Sequence, residues 1–147
     1  MDRRFLLQGL AVWFLLLLAA VTLGGLREAL LAPRLGAVAG RAVGTLLLAT
    51  VIFLVTFLFL AASRRPRTAG DLLLLGLGWA MLTVGFEFLA GHYLFGAPWE
   101  RLLAEYDLAE GRLWVLVPLA LLAAPPLVGA ARARRERKNR LPGTPNP

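Results

Sequence analysis

The sequence predicts an all-α integral membrane protein, a four-helix bundle with a short amphipathic interfacial helix between helices three and four. Hydrophobic residues make up 59% of the 147-residue chain, and the mean hydropathy is +0.69, above the balance of soluble domains. Four apolar runs reach about 20 residues, the length of helix that crosses roughly 30 Å of hydrocarbon. Because the charged residues fall mainly between these runs, each run is expected to span the membrane.

Charged residues bound each predicted span, and the four spans cover residues 5–26, 42–62, 72–95 and 113–131. The first span follows two arginines, as the core of a secretory signal does. It is longer than such a core, which has about 7 to 15 apolar residues, so we expect it to remain as an anchor. Residues 132–147 are basic and then proline-rich, and they are predicted to form a disordered tail.

The cations predict the orientation of the helices. Eleven of the 16 Lys and Arg residues lie at the N-terminus, in the second connection or in the tail. Cytoplasmic segments carry such an excess, so both termini are expected in the cytoplasm, with the connections 27–41 and 96–112 outside.

The charge of +7 and the absence of cysteine narrow the classes of function. Cations next to a spanning helix attract anionic lipid headgroups, and this explanation of the basic tail is favoured over nucleic-acid binding. We therefore expect membrane lipid as a partner and no nucleic acid. Without cysteine, the chain has no disulfides, thiolate metal sites or thiol redox chemistry.

Helix two opens with glycines four residues apart, Gly36, Gly40 and Gly44. Small residues on one face let helices approach closely in lipid, so these glycines are predicted to mark a packing surface. Its partner is either helix one or another subunit of a homo-oligomer. The alternative is that they form only a flexible outer end.

Helix three carries Glu87 on a stripe of small residues. A carboxylate facing lipid costs several kcal/mol, so this stripe should face inward and supply a partner. At about 1.5 Å per residue, Glu87 lies roughly 22 Å and Arg112 roughly 28 Å from the cytoplasmic ends of their helices. Arg112 is therefore the first candidate partner, before Arg41 and Arg27.

His92 follows Glu87 by five residues, a spacing that turns the two side chains apart on a helix. A histidine hydrogen-bonded to a loop at the membrane interface is favoured over a metal ligand. A proton relay with Glu87 is the alternative, because such chains occur in transporters. No metal and no cofactor are predicted.

The segment after Gly96 is predicted to form the short interfacial helix. Pro98 suits a first helical position, and apolar residues recur from Trp99 with helical spacing. Trp99, Tyr106 and Trp114 are predicted to anchor in the headgroup region.

Helix four contains Pro118, Pro125 and Pro126. A proline inside a helix removes a backbone donor and clashes with the preceding turn, so kinks are expected. A helix that contains such prolines either lines a transport pathway or only packs against its neighbours, and the sequence favours neither of these roles.

Three segments, "LREALLAPRLG", "FEFLAGHYLFGAPWERLLAEYDL" and "GRLWVLVPL", resemble parts of a group of uncharacterised small bacterial four-helix inner-membrane proteins. The resemblance implies a multi-pass protein of the bacterial inner membrane and no particular activity.

Two functions follow from these features. The first is a noncatalytic accessory or structural membrane protein with a buried Glu–Arg polar centre. The alternative is an oligomeric small-solute or proton-coupled transporter or channel that uses Glu87 as its protonatable site. An enzyme is less favoured, because the sequence shows no nucleophile set, metal-ligand cluster or phosphate loop. A transport site should open onto a cavity, whereas a structural pair should be closed.

Overall fold

The computed structural model describes residues 2–63, 67–107 and 113–140, which are almost entirely helical. The elements follow in the order α1 (Arg3–Leu26), a π-helical turn (Arg27–Leu31), α2 (Ala32–Leu35), α3 (Ala37–Ala62), α4 (Ala69–Leu89), a second π-helical turn (Ala90–Leu94), α5 (Trp99–Ala104) and α6 (Leu116–Arg140).

Within the described residues, four continuous helical segments are long and apolar enough to cross a membrane, namely Arg3–Leu35, Ala37–Ala62, Ala69–Leu94 and Leu116–Asn139. Large apolar side chains cover much of their outward surface, including Leu54, Leu58 and Met81, each more than half exposed. A soluble protein rarely exposes so continuous an apolar surface. The prediction of an all-α chain with four such helices is confirmed.

The first two helices are longer than the sequence indicated. The predicted connection 27–41 is mostly helical, because residues 27–35 are rich in the helix formers Arg, Glu, Ala and Leu. The chain reverses at Gly36, whose φ of 81° is a left-handed conformation that glycine adopts without strain. Helix two therefore begins at Ala37.

The last helix is shifted along the chain relative to the prediction. It begins at Leu116, so Pro118 lies in its first turn, where no intrahelical donor is required. It continues to Arg140, because the Ala, Arg, Glu and Lys residues of the basic segment favour helix. Helix thus includes residues 132–140 of the predicted disordered tail, and residues 141–147 lie outside the described part of the chain.

The backbones of α4 and α6 approach each other closely at Gly76. Pro125 and Pro126 lie inside α6 and offer no N–H groups, so the carbonyls of Leu121 and Leu122 lack their usual helical donors. Gly76 of α4 packs against this site, where an added Cβ would meet the carbonyl oxygen of Leu122 at 2.4 Å. Glycine at position 76 allows the two backbones to touch.

Two tryptophans attach α1 to α4. The Trp79 indole N–H donates to the carbonyl oxygen of Gly9 at 2.8 Å, and that of Trp13 donates to Thr83 Oγ1 at 3.0 Å. Trp79 is only 2% exposed and belongs to the core. These bonds fix the half of α1 that lies nearer the N-terminus.

A cluster at the end of the bundle that holds the termini joins Asp2, Phe5, Phe59 and Arg67. Asp2 accepts from the Phe5 backbone N–H at 2.8 Å and from Arg67 Nη1 at 2.9 Å. The Arg67 guanidinium lies 3.9 Å from the ring centroid of Phe5, which stacks on Phe59 at 5.5 Å. We call this group the termini-end cluster, because it ties the start of α1 to the α3–α4 connection.

Candidate functional site

The Glu87 carboxylate is the centre of a hydrogen-bonded group near the far end of α4. Its Oε2 atom accepts from the Tyr106 hydroxyl and from the Trp114 indole N–H, both at 2.5 Å. Tyr106 follows α5 and Trp114 precedes α6. These three residues, here called the Glu87 centre, therefore join three consecutive parts of the fold.

Tyr106 is positioned for this role by the helix before it and by an aromatic neighbour. Its ring stacks on Phe88 of α4 with centroids 5.9 Å apart. Burial raises the pKa of Tyr106, and its hydrogen bond to Glu87 raises that pKa further. The hydroxyl therefore keeps its proton at neutral pH and remains a donor.

A row of aromatic rings in mutual contact holds α5 against the end of α4. From Tyr106 it runs through Phe88 and Trp99 to His92 and Tyr93, with successive ring centroids 5.9, 6.2, 4.0 and 4.9 Å apart. Aromatic pairs at these separations stabilise beyond their buried area. The row thus supports the Glu87 centre from the side of α5.

His92 belongs to this row, and its ring hydrogen-bonds to the backbone of the loop before α5. Its Nδ1 lies 3.0 Å from the carbonyl oxygen of Ala97. A carbonyl only accepts, so Nδ1 carries the proton. This geometry matches the favoured sequence interpretation, a histidine hydrogen-bonded to a loop.

Of the three arginines proposed as partners of Glu87, the structure describes Arg27 and Arg41. Arg27 pairs with its neighbour Glu28 through Nη2 at 2.7 Å. Arg41 has a buried Nε with no hydrogen-bond partner among the described residues. Arg112 lies outside the described residues, so its pairing with Glu87 stays a prediction.

The glycines of helix two face the segment that precedes them. An added Cβ at Gly40 would lie 3.2 Å from the Ala32 nitrogen, and one at Gly44 would lie 3.0 Å from Arg27 Cδ. Gly36 forms the turn and has open space around it. Within the described chain, two of the three glycines thus pack against the continuation of helix one.

A cavity of about 260 Å³ adjoins the Glu87 centre. Much of its apolar lining comes from α1, α3 and α6, including Leu16, Ala20, Leu48, Ile52, Val117 and Leu121. Glu87, Thr83 and Trp114 also line it, but Trp114 donates to Glu87 and Thr83 accepts from Trp13. Glu87 is therefore the cavity's main polar feature.

The cavity reaches the outer surface of the bundle between α1 and α4. Val21 and Phe86 line it and are 62% and 38% exposed. The cavity begins at the level of the Trp13–Thr83 hydrogen bond and extends away from the termini. The same cavity thus has both Glu87 and partly exposed apolar side chains in its lining.

The sequence interpretation treated Tyr106 and Trp114 only as interfacial anchors and did not link them to Glu87. Both side chains are strong hydrogen-bond donors, and both lie close to the predicted depth of the carboxylate. These two properties were the signal in the sequence that could have identified them as donors to Glu87. The described residues contain no group of three His, Cys, Asp or Glu side chains able to hold a metal. The Glu87 centre is suited to accepting hydrogen bonds from donor groups.

The fold and site together define an all-α protein with four helices able to cross a membrane and a carboxylate among their ends. No protein-family model matches the chain, and neither a curated protein nor a solved structure is detectably similar to it.

Proposed function

We propose that this is a noncatalytic accessory or structural protein of the bacterial inner membrane, with both termini in the cytoplasm and α5 at the outer interface. In this proposal the Glu87 centre maintains the packing of the outer ends of the helices. The observation that carries it is the acceptance of two hydrogen bonds by one oxygen of Glu87, from Tyr106 and Trp114.

Several features support this role. The two donors come from segments on either side of the α5–α6 connection, so the carboxylate holds both ends of that connection to α4. Hydrogen bonds to a charged group contribute about 1.5 to 3 kcal/mol, and a carboxylate left without donors in an apolar setting is destabilising. Arg112 remains the proposed counter-charge, and anionic lipid the proposed partner of the basic segment.

A double-mutant cycle tests the proposal. Unfolding free energies are measured in detergent for Glu87→Gln, Tyr106→Phe and the double variant. Each single change should cost about 1 to 2 kcal/mol. The double variant should cost less than their sum, because Glu87→Gln removes the charge that strengthens the hydrogen bond and Tyr106→Phe removes the bond itself. Tyr93→Phe, at an exposed ring outside the Glu87 centre, is the matched control. Additive losses would show that Glu87 and Tyr106 do not act together.

The cavity favours a second candidate, an oligomeric transporter or channel that uses Glu87 as its protonatable site. Its specific support is that the carboxylate lines a space that borders the bundle surface. The chain has no cysteine, so Glu87→Cys can be tested with a membrane-impermeant thiol reagent. Modification from the aqueous phase supports transport, and protection in intact membranes supports the structural role.

A further inference from the structure

The second oxygen of the Glu87 carboxylate is the starting point for a ligand assignment. Both described hydrogen bonds end on Oε2, and no described donor reaches Oε1. The side chain also lines the cavity, which is otherwise largely apolar. A carboxylate is an acceptor with about four lone-pair sites. With Tyr106, Trp114 and the proposed counter-charge Arg112 as donors, this carboxylate still retains capacity for one donor that enters through the cavity.

The volume of the cavity matches a single alkyl chain. A volume of about 260 Å³ holds roughly nine heavy atoms at about 30 Å³ each, the share of one water molecule in the liquid. Ligand sites for larger molecules occupy about 300 to 1,000 Å³. A two-chain phospholipid does not fit inside, whereas one alkyl chain of about eight to ten carbons does.

The charge and hydrogen bonding of the site select the head of that chain. A carboxylate or phosphate head would approach Glu87 with like charge, which is unfavourable where little water is present to screen it. An ammonium head has three donors and the opposite charge. The apolar lining from Leu16, Ile52 and Leu121 receives the chain.

We propose that the cavity binds a single alkyl chain with an ammonium head, with the head donating to Glu87 and the chain lying between α1, α3 and α6. This assignment goes beyond both candidate functions, because such a ligand can be held as a structural component or carried across the membrane.

Binding of radiolabelled decylamine to the full-length protein in maltoside detergent tests the assignment, with protein-free detergent correcting for micelle partitioning. We expect saturable binding that unlabelled decylamine displaces, with decanol at least about tenfold less effective, since it lacks the charge, and decanoate ineffective. Displacement by an ethanolamine lysophospholipid would identify a lipid as the source of the ammonium group. If this lysophospholipid does not displace decylamine, the source is a free amine. Equal displacement by all three decyl compounds would show a site for any acyl chain and overturn the proposal.

Two variants locate the site. Glu87→Gln removes the charge, and Ala20→Leu fills the cavity while keeping the carboxylate; each should weaken decylamine binding at least about tenfold. Ala61→Leu, on an exposed face of α3, should bind as the unmodified protein does. Because Ala20→Leu leaves the Glu87 centre intact, its effect separates ligand binding from the stabilising role. Unchanged affinity in either Glu87→Gln or Ala20→Leu, with the variant running as a folded species on gel filtration, would refute the site.

Discussion

Replacing Gly76 by alanine should separate α4 from α6. The new Cβ would lie 2.4 Å from the carbonyl oxygen of Leu122, 3.0 Å from its carbonyl carbon and 3.1 Å from the oxygen of Leu121. Carbon–oxygen contacts of this type normally measure about 3.3 to 3.6 Å, so the helices must move apart by about 1 Å. The obstructing atoms are backbone, and no side-chain rotation relieves the contact.

The magnitude follows from two opposing effects. Overpacking costs about 1 to 3 kcal/mol, and a backbone obstruction belongs at the upper end of that range. Alanine is better than glycine inside a helix by about 1 kcal/mol. The net expectation for Gly76→Ala is therefore a loss of about 2 kcal/mol in unfolding free energy, measured by denaturant titration of helicity in detergent.

Gly78 offers a matched control on the same helix. An added Cβ there meets nothing within 4 Å, so Gly78→Ala should be neutral or stabilise by up to about 1 kcal/mol. If Gly76→Ala is as stable as Gly78→Ala, the proposed backbone contact between α4 and α6 is refuted.

Three further predictions concern topology, the turn and the Glu87 centre. Single cysteines introduced at Ser63 and Ala104 should be labelled from opposite sides of the membrane, and labelling of both from one side would refute the orientation. Gly36→Ala should lose about 1 to 2 kcal/mol of stability, because its left-handed φ is unfavourable for alanine; an unchanged unfolding midpoint would show that the turn relaxes. In a Tyr93→Phe background, absorbance at the phenolate band should show Tyr106 ionising above the usual pKa of about 10. The stabilisation that this raised pKa provides is present below about pH 10 and declines as pH rises through the folded-state value, and ionisation at the usual pKa would contradict burial of the hydroxyl.

Much of the fold was accessible from hydropathy alone. The four helices follow from the length of the apolar runs, a signal that survives without any knowledge of packing. The ends of the helices could not be predicted from hydropathy. Charged residues mark where an apolar run ends, but a helix can continue beyond that point. Arg27 and the basic residues after Ala131 are good helix formers, so helix continues past the predicted boundary at both places.

The site was predicted in part. Counting residues along each helix identified Glu87 as a polar group needing partners, and the structure supplies two. The residue count did not identify those donors. It assumed a regular helix from residue 113, whereas Trp114 lies in a turn before α6. Which helices are neighbours depends on side-chain packing around their axes, and the hydropathy pattern of an almost uniformly apolar helix contains little of that information.

The termini-end cluster constrains the order in which the protein assembles during translation. Asp2 and Phe5 lie at the start of α1, but their partner Arg67 lies beyond α3 in the sequence. The first helix therefore lacks this contact until residue 67 has been made. A truncation that ends before residue 67 would leave that helix without this contact, exposed to whatever other membrane protein approaches it.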